Sequence, residues 1–178
     1  MIEDLVVRDA LDSDVPELRQ LYASSVRSAG VEAYPPEAVA AWSSFSEAPE
    51  FEGFVLRNRS IVVEDETGLV GFGGADPSGR IASLYVRGDR LHEGIGTKIL
   101  ERLLARLLSE GVRRVWTEAS ELSRPLFERF GFVTVAEESV IRSGVPIRRC
   151  RMEADLPTAA AEAPVAPPQV RPGPGLAG

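Results

Sequence analysis

Residues 80–98, RIASLYVRGDRLHEGIGTK, constrain the fold more than any other stretch of the chain. They begin as an apolar strand with Ile81, Leu84 and Val86, and they end as a helix opening on Gly94-Ile95-Gly96. A glycine turn lets the backbone approach an anion, because no side chain stands in the way. The first helical turn adds unpaired N–H groups and the positive end of the helix dipole. A strand-to-helix junction of this kind can seat a phosphate. Gly-x-Gly before a helix also serves as an ordinary tight turn, so the rest of the chain must decide between the two.

The 178 residues suffice for one domain with a real core. The formal charge of −7, from 20 basic and 27 acidic side chains, argues against a nucleic-acid partner, which needs a basic face. It leaves a phosphate ligand open, because backbone amides supply a local positive field. One cysteine, Cys150, precludes an internal disulfide, and with one histidine, His92, the chain lacks the usual zinc ligands, so no metal is expected. No apolar run is long enough to span a bilayer, so no membrane association is expected. The acidic N-terminus MIEDLVVRDA lacks a signal-peptide pattern, and the cytoplasm is the expected location.

In chain order, Leu5 to Val7 start a strand, and Asp14-Val-Pro-Glu17 reads as a capping box with Asp14 at the N-cap. Leu18, Leu21, Tyr22 and Val26 follow at helical spacing. Pro36 opens a second helix that turns Val39, Trp42 and Phe45 inward, Trp42 as a core residue. Tyr34 falls in a loop, as packing or at a substrate pocket. Phe51, Phe54 and Val55 end a helix or form a short extended piece. Three strands then make an antiparallel meander: 61–63, 69–74 and 80–86. Gly71, Gly73 and Gly74 in the middle strand mark either a close approach by a ligand or another backbone, or a bulge. The best helix spans 94–110 and ends on Gly111; a strand follows at 112–118, a short helix at 121–130 closed by Gly131, and two last strands turn at Ser143-Gly144. From residue 157 the Ala/Pro/Gly-rich sequence has too little apolar bulk to order, and 157–178 reads as a disordered tail behind a domain of residues 1–156.

LYV running into EGIGTKIL, then WTEAS, PLFERFGF and a closing RME, in this order of elements, resembles the GNAT superfamily of acyl-CoA-dependent N-acetyltransferases over roughly residues 1–156. The resemblance implies a mixed α/β (α+β) fold: a mostly antiparallel sheet of six to seven strands, about four flanking helices and a central splayed parallel pair. It implies acetyl-CoA as co-substrate and a small-molecule amine as acceptor. The strands ending at Val86 and Ala119 would part, leaving backbone groups at Leu84, Tyr85 and Val86 for the pantetheine arm. The N–H groups of His92, Glu93, Gly94, Ile95, Gly96 and Thr97 would take the pyrophosphate. Ser123 and Phe127, on the short helix, would close the other side of the coenzyme. A homodimer is a further expectation from the family.

Three positions depart from the family pattern. Leu91 stands where Arg or Gln is usual. Glu93 brings a negative charge to the phosphates, with Arg87, Arg90 and Lys98 near enough in sequence to offset it. Phe127 replaces a tyrosine that protonates the departing thiolate, so the thiolate leaves either unassisted or with help from water, Tyr85 or Ser123. Glu118, at a strand end, is the candidate general base or else a solvated charge. His92 is an exposed loop residue or a phosphate contact. Ser120 reads as a helix cap. Three functions stay open: an acetyltransferase, a non-catalytic acyl-CoA-binding or interaction module, and an unrelated α/β protein.

Overall fold

A computed structural model describes residues 5–157, so the expected tail lies, but for Pro157, outside the described residues. The elements in chain order are β1 (Val6–Asp9), α1 (Val15–Gly30), α2 (Pro36–Ser43), α3 (Glu50–Arg57), β2 (Ile61–Asp65), β3 (Gly68–Ala75) and β4 (Arg80–Val86). Then come α4 (Ile95–Ser109), β5 (Arg114–Ala119), α5 (Arg124–Arg129), β6 (Val133–Arg142) and β7 (Val145–Asp155). The strands form one sheet in the order β1-β2-β3-β4-β5-β7-β6. All neighbours are antiparallel except β4 and β5. The meander and the central parallel pair agree with the sequence reading. The ambiguous stretch 50–58 is a helix, which makes five α-helices among the described residues rather than about four.

Two apolar clusters hold the sheet from opposite faces. Helix α4 buries Ile95, Ile99, Leu100, Leu103 and Leu107 on one face, because its apolar side chains recur at helical spacing. Helices α1 to α3 cover the other face with Leu18, Tyr22, Val39, Phe51 and Val55 around Phe72. The strand glycines resolve here. A Cβ at Gly71 would lie 2.9 Å from Ile95 and Ile99, and one at Gly73 would overlap Ile99. The close approach is that of α4, not of a ligand. The turn glycines sit where the sequence placed them, with φ of 84° at Gly111 and 82° at Gly131. The last hairpin turns on Ser143 and Gly144, both at positive φ.

The capping box does not form. The Asp14 carboxylate makes no cap bond to α1. It accepts instead from the Leu11 N–H at 2.8 Å and from both terminal nitrogens of Arg8 at 2.7 and 3.0 Å. Glu17 accepts from the Leu69 N–H at 2.7 Å, tying α1 to β3. The Arg8 guanidinium holds the nearly buried Asp14 carboxyl below its ordinary value. Its stabilisation is therefore present above the unfolded carboxyl pKa of about 3.9 and fades as the pH falls through the lower folded value. Asp14→Asn should cost about 1–3 kcal/mol at neutral pH, since Arg8 and the Leu11 amide lose a charged partner. Urea melts should show the variant and the parent converging once the pH is below the folded carboxyl's pKa.

Candidate functional site

Strands β4 and β5 pair only through Arg80↔Trp116 and Ile81↔Thr117. The Thr117 hydroxyl donates to the Ile81 carbonyl at 2.9 Å and closes the base of the fork. Beyond it the strands part. On the β3 side, Ser83 faces Gly74 while Ile81 faces Ala75, so Ala82 is one extra residue, a β-bulge. From Ser83 to Val86 the edge of β4 that faces β5 has no strand partner. Buried backbone groups left so must find partners elsewhere.

A cleft of about 600 Å³ opens along this edge, between the N-terminus of α4 and α5. That volume lies within the usual range for small-molecule sites. Gly94, at φ 80°, precedes α4, whose first intrahelical N–H donor is Lys98, bonded to the Gly94 carbonyl. The N–H groups of Ile95, Gly96 and Thr97 thus face outward with the helix dipole behind them. A Cβ at Gly96 would stand 3.4 Å from the Leu84 and Leu126 side chains, inside the cleft. These residues fit a ligand with a phosphate at one end and an amide-bearing chain along β4.

The structure brings the residues named from sequence together along the cleft, except Glu93, which does not line it, and gives their side chains different parts. Leu84 and Val86 pack toward α4, whereas the Tyr85 ring lies on the opposite face, stacked on Phe72 at 5.4 Å and tilted against Tyr22 at 4.5 Å. Burial pushes the Tyr85 phenol above its ordinary value, so it stays protonated. The Ile95 side chain is core, leaving its backbone for the cleft. Leu91 packs against the α4 cluster. His92 is exposed, lines the cleft and takes φ 65°. The Glu93 carboxylate accepts from Arg90 Nε at 2.7 Å, and Arg90 also reaches Asp65. The Thr67 hydroxyl and the Arg90 guanidinium hold the Asp65 carboxyl well below the usual carboxylate range. The charge of Glu93 is therefore only partly offset, because Arg90 also serves Asp65. Arg87 is occupied with Asp89, Thr67 and the Leu69 carbonyl, while Lys98 has no ion pair among the described residues. Ser120 and Ser123 bond reciprocally, each hydroxyl accepting from the other's backbone N–H at 3.0 and 3.1 Å. The Ser123 hydroxyl is thus engaged, and Arg124 opens α5.

Glu118 lines the cleft at the fork, with its oxygens held by Arg80 at 3.0 Å and, more loosely, by Arg149 at 3.7 Å. Tyr34 is buried: its hydroxyl donates to the Arg148 carbonyl and accepts from the Glu121 N–H, both at 2.9 Å. It anchors the loop before α2 and does not line the cleft. Sequence reasoning missed Ser83, Glu32 and Arg129, which do line it. It also read Trp42 as core alone, whereas the half-buried ring forms part of the cleft wall. The i, i+4 spacing of Tyr22 with Val26 and of Val26 with Gly30 signals only that α1 faces the sheet, not that its end borders a pocket. Among the described residues no group of three or more His, Cys, Asp or Glu side chains is placed to hold a metal ion, and no helix is long and apolar enough to cross a membrane.

Residues 31–155 match the family model of the acetyltransferase (GNAT) domain. The chain belongs to the GNAT acetyltransferases. Solved GNAT structures share the fold. A GCN5-related N-acetyltransferase from Rhodopseudomonas palustris superposes with a TM-score of 0.82 at 20% identity, over 85% of this chain and 95% of that one. A phosphinothricin acetyltransferase from Sinorhizobium meliloti, in complex with acetyl-CoA, gives 0.62 at 22% identity, over 91% and 94%. A putative acetyltransferase from Salmonella typhimurium, with its cofactor acetyl-CoA, gives 0.61 at 17% identity, over 93% and 99%. No curated protein sequence matches the chain.

For a GNAT acetyltransferase the departure at Phe127 bears most on the chemistry. The ring is 2% exposed and meets Phe132 edge-on at 5.1 Å, yet it lines the cleft. The residue thus borders both the core and the cleft. Phe127→Tyr should therefore change stability by about 1 kcal/mol or less and raise the rate of thiol release. A collapsed thermal transition would instead make the ring closed core.

Proposed function

We propose that this GNAT domain transfers an acetyl group from acetyl-CoA to the amine of a small molecule by direct attack. The parting of β4 from β5 beyond Ile81 and Thr117, beside the N-terminus of α4, carries this reading. Acetyl-CoA supplies the activated thioester as co-substrate. The backbone N–H groups from His92 to Thr97 hold the pyrophosphate, with Glu93 turned to Arg90. Backbone groups of Leu84, Tyr85 and Val86 hold the pantetheine arm, and Ser123 and Phe127 flank it from α5. A backbone N–H of the same segment of β4 stabilises the negative charge that develops on the carbonyl oxygen. The nitrogen–carbon bond forms as the carbon–sulfur bond breaks. The amine's proton leaves through water toward Glu118, and the sulfur departs as thiolate, which is only mildly costly for a thiol of pKa about 8.5.

A second reading, coenzyme binding without turnover, draws on the Phe127 ring and on the two guanidinium groups that hold Glu118. Thiol release measured over a panel of amines at saturating acetyl-CoA separates the two. Amine-dependent release supports transfer; tight coenzyme binding with no release above hydrolysis supports the second reading. The unpaired edge of β6, with Val133, Val135 and Ile141 exposed, supports the family expectation of a homodimer.

A further inference from the structure

Strand β5 stops at Ala119 although its partner strand does not. The register pairs Glu118 with Arg151 and Ala119 with Cys150. Continued to Glu121, the same register sets that residue opposite Arg148. Arg148 already lies within β7, where among the described residues it pairs with β6 alone. The Glu121 N–H and the Arg148 carbonyl therefore stand where the next rung of the ladder would form. Instead the Tyr34 hydroxyl lies between them, accepting from the Glu121 N–H and donating to the Arg148 carbonyl, both at 2.9 Å. A hydroxyl donates and accepts at once, so both backbone groups stay satisfied. The rung is kept but lengthened by one oxygen atom, and the two chains are held apart there.

Tyr34 is fixed from behind. Its N–H donates to the Gly30 carbonyl at the end of α1 at 2.9 Å, and its ring meets Trp42 of the cleft wall edge-on at 5.6 Å. Burial holds the phenol above its ordinary value, so the hydroxyl keeps the proton it donates. What the wedge diverts is the start of α5. Ser120, Leu122 and Ser123 line the cleft, and the Arg124 N–H donates to the Ser120 carbonyl at 2.9 Å. That bond from one residue to the fourth before it needs helical backbone in between, whereas β5 continued through Glu121 would be extended. The chain leaves β7 and turns over the cleft at the residue whose N–H Tyr34 takes.

Resting on the acetyl-transfer reading, we infer that Tyr34 is a positioning residue for the coenzyme: by taking the rung between Glu121 and Arg148, its hydroxyl ends β5 and holds Ser120 to Ser123 and the first turn of α5 beside the pantetheine arm. It lies outside the cleft lining and acts through the connection from β5 to α5. The pyrophosphate amides belong to α4, with which Tyr34 shares no hydrogen bond among the described residues. The arm, and not the phosphates, is what Tyr34 positions.

Calorimetric titration with two probes tests this: free CoA, and the 3′-phosphorylated ADP moiety of CoA, which keeps the phosphates and lacks the arm. The ratio of their affinities reads what the arm contributes to binding. In Tyr34→Phe, which keeps the ring and its packing, the ratio should fall about tenfold, the worth of one or two misplaced hydrogen bonds to the arm. The affinity for the armless probe should not change. A merely structural loss would weaken both probes together, so equal weakening overturns the positioning role, as does an unchanged ratio or a lost thermal transition. Amide hydrogen exchange on the parent protein tests the wedge without a variant. The Glu121 amide, although outside any strand, should exchange as slowly as the β5 amides bonded to β7, and fast exchange would overturn the assignment. Failure of the parent to bind CoA would count against acetyl transfer itself, while the Glu121 exchange rate would still uphold or overturn the wedge.

Discussion

Gly96→Phe should leave the fold intact and remove coenzyme binding. Gly96 is the second residue of α4 and has no left-handed φ, so the helix accepts a side chain there. Exchanging glycine for phenylalanine even gains a few tenths of a kcal/mol in helix propensity, by about the difference between the two residues. The nearest atoms to a new Cβ are the methyl ends of Leu84 and Leu126 at 3.4 Å, both able to yield. The ring must then occupy the cleft between α4 and β4, in front of the Ile95 to Thr97 amides. Losing even one or two charge-assisted phosphate contacts costs about 3 kcal/mol, which is about a hundredfold in affinity. The variant should melt within a few degrees of the parent and bind CoA at least that much more weakly. Unchanged affinity would put the phosphate elsewhere, and a lost thermal transition would make Gly96 a packing residue.

Gly73→Val should do the reverse, with stability as the first casualty. A Cβ on Gly73 overlaps Ile99 of α4, stands 3.0 Å from the Ser83 carbonyl oxygen and lies 3.2 Å from Leu103. Two of these neighbours are core side chains and the third is backbone, so none yields cheaply. Overpacking of a tight core costs about 1–3 kcal/mol, and valine adds two methyl groups beyond the offending Cβ. A loss of about 3 kcal/mol is a large share of the 5–15 kcal/mol typical of a domain. The urea midpoint should fall with the slope unchanged. A parental midpoint would mean that α4 can stand off from β3. Because α4 carries the glycine turn, the folded fraction of this variant should also bind coenzyme less well.

The contrast between these two glycines marks the limit of what was legible in the sequence. Periodicity gave the meander and α4, and Gly111 and Gly131 marked helix ends, because each of these is a local signal. The strand glycines were visible as a close approach, but what approaches them is helix α4, decided by tertiary packing. The capping box failed for the same reason: Arg8 and the Leu11 amide claim Asp14, and the Leu69 amide claims Glu17, against weaker local bonds. The bulge was half-legible. Ile81, Leu84 and Val86 share the α4 face although the first two lie an odd three positions apart, which needs one extra residue at Ala82. The offset of Glu93 depends on Arg90, itself held by Asp65 in another strand. Ser83 carried no signal, since a serine in a strand is unremarkable until its hydroxyl is found buried without a partner.

Titration of the unmodified protein with acetyl-CoA, and in parallel with free CoA, tests the central claim most directly. The fork at Ile81 and Thr117, the amides of Ile95 to Thr97 and the engagement of the Glu93 carboxylate by Arg90 together predict micromolar binding of both ligands. No heat of binding at millimolar coenzyme would contradict the assignment of this cleft and leave only the GNAT fold.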